Sequence, residues 1–82
     1  MTDELVMYTT SWCGSCVRLK HFMKRESIAF REVDIEDNPE AARFVGSVNR
    51  GNHTVPTLRF ADGSVLTNPT PAQLLAKVAP VG

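Results

Sequence analysis

The spacing of apolar residues changes along the first half of the chain, which predicts an alternation of strands and helices. Residues 5–8 form an unbroken apolar run, typical of a central strand that is covered on both faces. Further on, the spacing becomes that of an amphipathic helix, which we expect to start near Val17 and to end near Glu26. Residues 28–35 return to a strand pattern. The predicted apolar stripe of the helix consists of Cys16, Leu19, Phe22 and Met23.

Strand, helix and strand in this order predict a parallel pair with a right-handed crossover. A second helix is expected next, because Asn38 is a good N-cap and Pro39 suits the first helical position. Its apolar residues recur at helical spacing. They are Ala41, Phe44, Val45 and Val48.

The last third of the chain predicts a hairpin and a short helix. Residues 57–60 and 64–67 read as two strands, and Asp62-Gly63 between them is a signal for a two-residue turn, so this pair must be antiparallel. Thr70 and Gln73 then match a capping box with a proline at the first helical position. The stripe expected to be buried on this helix consists of Leu74, Leu75 and Val78.

The element order β-α-β-α-β-β-α predicts an α/β protein with a mixed four-stranded sheet flanked by helices, the arrangement of the thioredoxin-like fold. The 82 residues suit one domain over positions 1–82. Nine basic residues balance nine acidic ones, so charge favours neither nucleic acid nor a membrane surface as partner. No apolar run approaches the roughly 20 residues of a membrane span, and the start is acidic, which leads us to expect a cytoplasmic protein.

The candidate chemistry lies in Cys13-Gly14-Ser15-Cys16, which holds the only two cysteines. Thiols three positions apart on the first turn of a helix share one face and can form a disulfide. The free N–H groups and the dipole of the helix N-terminus stabilise a thiolate, which makes Cys13 the candidate nucleophile. In a reducing cytosol a lone cysteine pair is more often catalytic, redox-sensing or metal-binding than structural.

The cysteine pair could also belong to a metal site. Zinc normally needs four ligands, and only His21 and His53 could join the cysteines, with His21 poorly aimed at five positions after Cys16. We therefore expect no intramolecular metal site and interpret the two histidines as a solvated helix residue and a loop residue. Arg18 is close enough in sequence to favour the thiolate.

Three segments together resemble the glutaredoxin family, and within it the actinobacterial mycoredoxins. They are residues 8–16, the tripeptide Thr54-Val55-Pro56, and residues 61–64 together with 67–69. A Cys-x-x-Cys motif after the first strand, followed about 40 residues later by Thr-Val-Pro, is far more specific than either feature alone.

The resemblance implies roles for particular residues. Cys13 would attack a mixed disulfide as the thiolate, and Cys16 would either resolve the intermediate or remain a spectator, so the monothiol and dithiol routes both stay open. Pro56 would follow a cis peptide bond that aims the backbone of Val55 at the substrate. The other residues of the implied substrate site are Tyr8, Trp12, Thr54 and Asn68.

This sequence differs from the glutathione-using members of the family at several positions, and these differences indicate which small thiol it uses. Position 10 holds threonine where many of those proteins have a lysine that can pair with a carboxylate, and Thr67-Asn68 replaces a Gly-Gly pair. Neutral hydrogen-bonding residues suit the sugar hydroxyls of mycothiol better than the carboxylates of glutathione. Gly14-Ser15 also replaces a proline-aromatic pair that is common in the family.

The sequence thus predicts a monomeric thiol-disulfide oxidoreductase that reduces protein mixed disulfides with mycothiol and holds no tightly bound cofactor. Its electrons would come from NADPH through mycothiol-disulfide reductase. One alternative is a redoxin that is fed by thioredoxin reductase and donates electrons to ribonucleotide reductase. Another is a non-catalytic module in which Cys13 of two protomers holds an iron–sulfur cluster.

Overall fold

The computed structural model describes residues 5–78, and within that range it has the predicted order of strands and helices. The prediction of one domain over 1–82 extends beyond this range and stays a prediction. The elements are β1 (Val6–Thr9), α1 (Gly14–Arg25), β2 (Arg31–Asp34), α2 (Pro39–Val48), β3 (Thr57–Arg59), β4 (Val65–Thr67) and α3 (Pro71–Val78).

The sheet has the strand order β2-β1-β3-β4, so β1 is central, as its unbroken apolar run predicts. β1 runs parallel to β2, with Thr9 opposite Asp34, and antiparallel to β3, with Tyr8 opposite Thr57. β3 and β4 form the antiparallel hairpin. Because β1 and β2 are parallel, the segments that follow Thr9 and Asp34 leave the sheet at the same edge. The cysteine motif lies at this edge.

Side chains alternate between the two faces of β1 and join two separate apolar clusters. Met7 belongs to the cluster that also contains both cysteines and the buried residues of α1 and α3. Val6 and Tyr8 belong to the cluster on the α2 side. Both faces of the central strand are therefore covered, which explains why its sequence lacks a polar alternation.

Helix α1 begins at Gly14, earlier than the expected start near Val17. Cys13 is its N-cap, and the Cys13 sulfur accepts a hydrogen bond from the Cys16 N–H. Cysteine is not among the usual capping residues, so this start has no ordinary sequence signal. The helix ends at Arg25, next to the predicted end near Glu26, and the N–H of the capping residue Glu26 bonds back to the last turn.

Strand β2 is shorter than the predicted 28–35. The N–H of Ile28 bonds to the carbonyl of Met23, so residue 28 still serves to close the end of α1. The ladder with β1 begins only at Arg31, whose N–H donates to the Leu5 carbonyl. Phe30 packs against the cluster on the α1 side although it lies outside the strand. Its apolar side chain made the predicted strand too long.

Two predicted caps are confirmed, whereas the predicted two-residue turn is wrong. Asn38 Oδ1 accepts from the Ala41 N–H at 3.1 Å, and Thr70 and Gln73 exchange side-chain-to-backbone hydrogen bonds of 2.8 and 3.1 Å. The hairpin loop is residues 61–63. Its last residue, Gly63, has φ 89° and the Phe60 carbonyl accepts its N–H, which gives a type I turn followed by a left-handed glycine.

Two residues that were expected to be buried are exposed, namely Val48 and Leu75, each with 39% of its surface accessible. Helix α3 contacts the core through Leu74 and, one turn later, Val78, so Leu75 is rotated towards solvent. Val48 is in the last turn of α2, after the buried Val45. Among residues 5–78, no helix is both long and apolar enough to cross a lipid bilayer.

The difference between two adjacent leucines of α3 gives a stability test. Leu74→Ala should lower the free energy of unfolding by about 2–5 kcal/mol, because it opens a cavity in a fully buried site. Leu75→Ala, the matched control, should cost less than about 1 kcal/mol. Urea unfolding followed by circular dichroism measures both values. Equal losses would contradict this placement of α3.

Candidate active site

The two cysteines form a disulfide across the first turn of α1, with their Cα atoms 5.2 Å apart. The Cys16 N–H lies 3.0 Å from Cys13 Sγ and donates to it. The exposed fraction is 7% for Cys13 and 1% for Cys16, so the pair is unequal in access to solvent. An incoming sulfur can reach Cys13 more easily than Cys16.

The backbone around Cys13 fixes the position of its sulfur. The Cys13 N–H donates to the Thr10 carbonyl at 3.4 Å, and the Cys13 carbonyl accepts from the Val17 N–H at 3.2 Å. Cys13 has extended dihedral angles and the next residue is helical, so its side chain lies over the free N–H groups of the first turn. Those groups and the helix dipole stabilise negative charge on sulfur.

Arg18 lies beside the same turn. Its Nη2 donates to Ser15 Oγ at 3.2 Å, and its Nη1 is 3.7 Å from the point where a Cβ on Gly14 would be. The guanidinium therefore adds a positive charge near the start of α1, as its place in the sequence suggested.

A groove of about 230 Å³ separates this turn from the segment that leads into α3. Asn68 lines it in a left-handed conformation with φ 47°, and its N–H donates to the Pro56 carbonyl at 2.7 Å. The groove therefore lies between the cysteine helix and Asn68, and the Asn68 N–H connects that segment to Pro56. A larger groove lies at the other end of β1, and the residues that line the two grooves include neither cysteine. The residues lining the smaller groove are Ser15, Arg18, Leu19, Phe22, Asn68, Pro69 and Pro71.

The Val55-Pro56 peptide bond is cis, as the resemblance implied. Val55 packs against the cluster that contains both cysteines and against the α2-side cluster, so it lies at the boundary between them. Its N–H and C=O take part in none of the turn, loop and cap hydrogen bonds found among residues 5–78. An extended substrate can pair with these groups as a short added strand.

A network of polar side chains holds the loop before Pro56, and sequence reasoning missed it. Thr57 is fully buried, and its hydroxyl donates to the Thr54 carbonyl at 2.7 Å. Asn49, the C-cap of α2, donates to Val45 O and to Thr57 Oγ1, and its own carbonyl oxygen accepts from Thr67. One asparagine therefore connects α2, β3 and β4 behind the substrate loop. A polar residue at the end of a helix was the only available signal.

Trp12 and Tyr8, both predicted as substrate residues, lie in different places. Trp12 precedes Cys13 and is 71% exposed, and its indole N–H donates to Glu36 Oε2 at 2.9 Å. Tyr8 is buried in the α2-side cluster, with its ring centroid 5.2 Å from that of Phe44. The structure therefore brings Trp12 but not Tyr8 to the cysteine side of the sheet.

Thr10, which replaces the family lysine, is also buried. Only 7% of its surface is accessible, and its hydroxyl has no hydrogen-bond partner among the described residues. It is therefore not placed at the surface, where it could bind the sugar of a small thiol. Thr10 therefore offers no exposed hydrogen-bonding group to a ligand.

Glu32 strengthens the sheet edge beside the site. Its carboxylate accepts from Thr9 Oγ1 at 2.8 Å and from Lys20 Nζ at 3.0 Å, which joins β2 to β1 and α1. Partial burial alone would raise the pKa of this carboxyl, but the hydrogen bonds from Lys20 and Thr9 and the Lys20 charge outweigh it and lower the pKa. The carboxylate therefore stays ionised at neutral pH.

Both histidines are exposed, and His53 lies against α2 near Gly46. Within the described range, no three side chains of His, Cys, Asp and Glu gather closely enough to hold a metal ion.

A family model named Glutaredoxin matches residues 5–66, which is most of the chain and includes the whole cysteine motif. The chain belongs to the glutaredoxin family. It is 57% identical over 81 residues to the Mycobacterium tuberculosis protein named "Putative glutaredoxin Rv3198A", covering 99% of this chain and 96% of that one. Mycoredoxin 1 of Corynebacterium glutamicum is 36% identical, with 93% of this chain and 94% of that protein covered.

Solved structures of glutaredoxins and their relatives have the same fold. Glutaredoxin grx-1 from Archaeoglobus fulgidus superposes with a TM-score of 0.78 at 25% identity, covering 96% of this chain and 89% of that one. NrdH-redoxin from Escherichia coli also gives 0.78, at 20% identity, with 96% and 99% covered. Glutaredoxins are in general thiol-disulfide oxidoreductases, and this chain is a redox protein of that family with a Cys-x-x-Cys pair at disulfide distance.

Removing the hydroxyl from either of two buried threonines should have different effects on the free energy of unfolding. Thr57→Val should lower the free energy of unfolding by about 1–3 kcal/mol, since it leaves the Thr54 carbonyl and one Asn49 N–H without their partner. Thr10→Val should leave stability unchanged or raise it by up to about 1 kcal/mol, since it removes a buried hydroxyl that has no partner. Urea unfolding of the oxidised proteins measures both. A larger loss for Thr10→Val would contradict the geometry.

Proposed function

We propose that this glutaredoxin reduces mixed disulfides between proteins and a small thiol, and that the small thiol is mycothiol. The observation that carries the proposal is the unequal pair at the start of α1. Cys13 is the more accessible sulfur and accepts a backbone N–H, and Cys16 is buried one turn behind it within disulfide reach. A nucleophile in front and a second thiol behind suit thiol-disulfide exchange.

The chemistry is a sequence of sulfur displacements. The Cys13 thiolate attacks the small-thiol sulfur of the mixed disulfide, and the protein thiolate leaves and takes up a proton. In the dithiol route the Cys16 thiol loses its proton and attacks Cys13, which releases the small thiol and closes the Cys13–Cys16 disulfide. In the monothiol route a second small thiol attacks the adduct instead, so the Cys13 thiolate is released together with the oxidised small thiol.

Substrate binding would use the cis-proline loop and the neighbouring groove. The Val55 N–H and C=O can pair with the extended part of the substrate, with Thr54 and Pro56 holding the loop in place, and Trp12 forms the rim beside Cys13. Asn68 lines the groove, and its neutral side-chain amide can donate and accept hydrogen bonds. The likeness to Mycoredoxin 1 supports mycothiol as the thiol that this groove accepts.

We further propose that the protein works in the cytoplasm, because small-thiol pools maintain reduced thiols there. We also propose that it works as a monomer, because one chain holds both cysteines and the cis Val55-Pro56 bond. Reducing equivalents would pass from NADPH through mycothiol-disulfide reductase. The main alternative is direct reduction of the Cys13–Cys16 disulfide by thioredoxin reductase, as expected of a redoxin that serves ribonucleotide reductase.

Reconstitution with different reductants tests the proposed thiol. A peptide mixed disulfide should be reduced when NADPH is supplied with mycothiol and mycothiol-disulfide reductase. We expect slower turnover with glutathione and glutathione reductase, and with thioredoxin reductase alone. NADPH consumption measures all three reactions. Turnover with thioredoxin reductase only, or faster turnover with glutathione, would contradict the assignment to mycothiol.

Single cysteine variants test the roles of the two sulfurs. Cys13→Ser should reduce activity to background, because it removes the attacking thiolate. Cys16→Ser should still take the small thiol onto Cys13, and mass spectrometry of the intact protein should show the adduct. Continued turnover of Cys16→Ser with excess mycothiol would assign the monothiol route, and a stalled adduct the dithiol route. An adduct on Cys16 in the Cys13→Ser variant would contradict the assigned order.

A further inference from the structure

The parallel register of β1 and β2 places two short segments side by side at the edge of the sheet that carries the cysteines. Thr9 is opposite Asp34, and the two strands end there. Two positions further on, Ser11 and Glu36 again lie close together, with Ser11 Oγ 3.4 Å from Glu36 Oε1. The segment before Cys13 therefore runs beside the connection between β2 and α2.

The turn that presents Glu36 is anchored at several points. The N–H of Ile35 donates to the Thr9 carbonyl at 3.0 Å, and the Ile35 side chain is buried. The N–H of Glu36 donates to Asp34 Oδ1 at 2.8 Å, and the N–H of Asp37 donates to the Asp34 carbonyl at 3.2 Å. The carboxylate of Glu36 thus extends from a held backbone, although the side chain itself is exposed.

This carboxylate holds the edge of an exposed ring. Glu36 Oε2 accepts the Trp12 indole N–H at 2.9 Å, while its other oxygen faces Ser11. A hydrogen bond to a charged acceptor is stronger than a neutral one. Trp12 is bound by its N–H edge, yet 71% of its surface stays open, and it directly precedes the Cys13 sulfur.

We propose that Glu36 is a positioning residue that fixes the Trp12 ring as a flat apolar platform for the part of the substrate next to the reacting sulfur. This inference rests on the proposed function, since it assigns a role within the same site. A tryptophan that is free to rotate must lose that freedom when a substrate packs on it. Holding the ring in advance lowers the cost of binding. Glu36 itself touches neither sulfur nor substrate.

Trp12 is the only tryptophan of the chain, so its fluorescence reports the contact directly. In the dithiothreitol-reduced protein, Glu36→Ala should lower the fluorescence anisotropy and change the emission maximum, because the indole loses its partner. Glu36→Gln should keep most of the anisotropy, since its amide oxygen can accept the same hydrogen bond without the charge. Asp37→Ala removes a neighbouring carboxylate and should have no effect. Identical spectra for Glu36→Ala and the unchanged protein would overturn the proposal.

Single-turnover kinetics test the platform without any recycling reductase. The reduced protein is mixed with rising concentrations of a peptide mixed disulfide with mycothiol, and in parallel with one carrying glutathione. Glu36→Ala should raise the half-saturating concentration about three- to tenfold with little change in the maximal rate, which is the size expected for ordering one side chain. Glu36→Gln should restore most of the affinity, and Asp37→Ala should leave it unchanged.

A double-mutant cycle separates positioning from a general effect of charge. Phenylalanine at position 12 keeps a ring but has no N–H, so Glu36→Ala should cause no further loss in a Trp12→Phe background. An equal loss in both backgrounds would overturn the proposal. If neither mixed disulfide reacts with the unchanged protein, the proposed function fails and the platform role fails with it. The fluorescence result then still decides whether Glu36 holds the ring.

Discussion

The hydrogen bond from the Cys16 N–H to Cys13 Sγ connects the helix, the disulfide and the proposed reactivity. It makes sulfur the N-cap of α1, in the place where serine, threonine, asparagine or aspartate usually supply an oxygen. A neutral sulfur is a weak acceptor, whereas a thiolate satisfies the same N–H far better. The Cys16 N–H at the start of the helix needs an acceptor, and this same need favours an ionised Cys13. The positive charge of Arg18, which lies beside the first turn, also favours the Cys13 thiolate.

The sheet brings the rest of the site to this helix terminus. β1 ends where the motif begins, and its antiparallel neighbour β3 begins directly after the cis-proline loop, so both segments reach the same edge. Thr57 then holds the loop from behind through its hydrogen bond to the Thr54 carbonyl, and Asn49 in turn donates to the Thr57 hydroxyl. The N–H and C=O groups of Val55 are left for a ligand because the hydrogen bonds that hold the loop go to the carbonyls of its neighbours, Thr54 and Pro56.

Features with a local physical cause could be predicted from the sequence. The caps at Asn38 and Thr70 were identified because capping depends on neighbours within three residues. Leu75 and Val48 were wrongly predicted to be buried, because helical spacing does not show how much of the apolar face of a helix the sheet covers. Tyr8 was assigned to the substrate by resemblance, but the alternation of β1 directs it to the α2 side. Glu36 was missed because its contact with Trp12 depends on the register of two strands far apart in sequence.

The proposed selectivity for mycothiol must depend on residues other than Thr10. A lysine at that position in other family members can offer a charge to a carboxylate, but Thr10 here is buried with an unpartnered hydroxyl and offers the ligand nothing. The remaining polar groups at the groove are Ser15, Arg18 and Asn68, and Ser15 already accepts from Arg18. Arg18 supplies the single positive charge among the groove-lining residues, so a ligand with several carboxylates has little to pair with. A neutral, hydroxyl-rich thiol loses less hydration in such a groove, because hydroxyls can exchange water for the Asn68 amide at little cost.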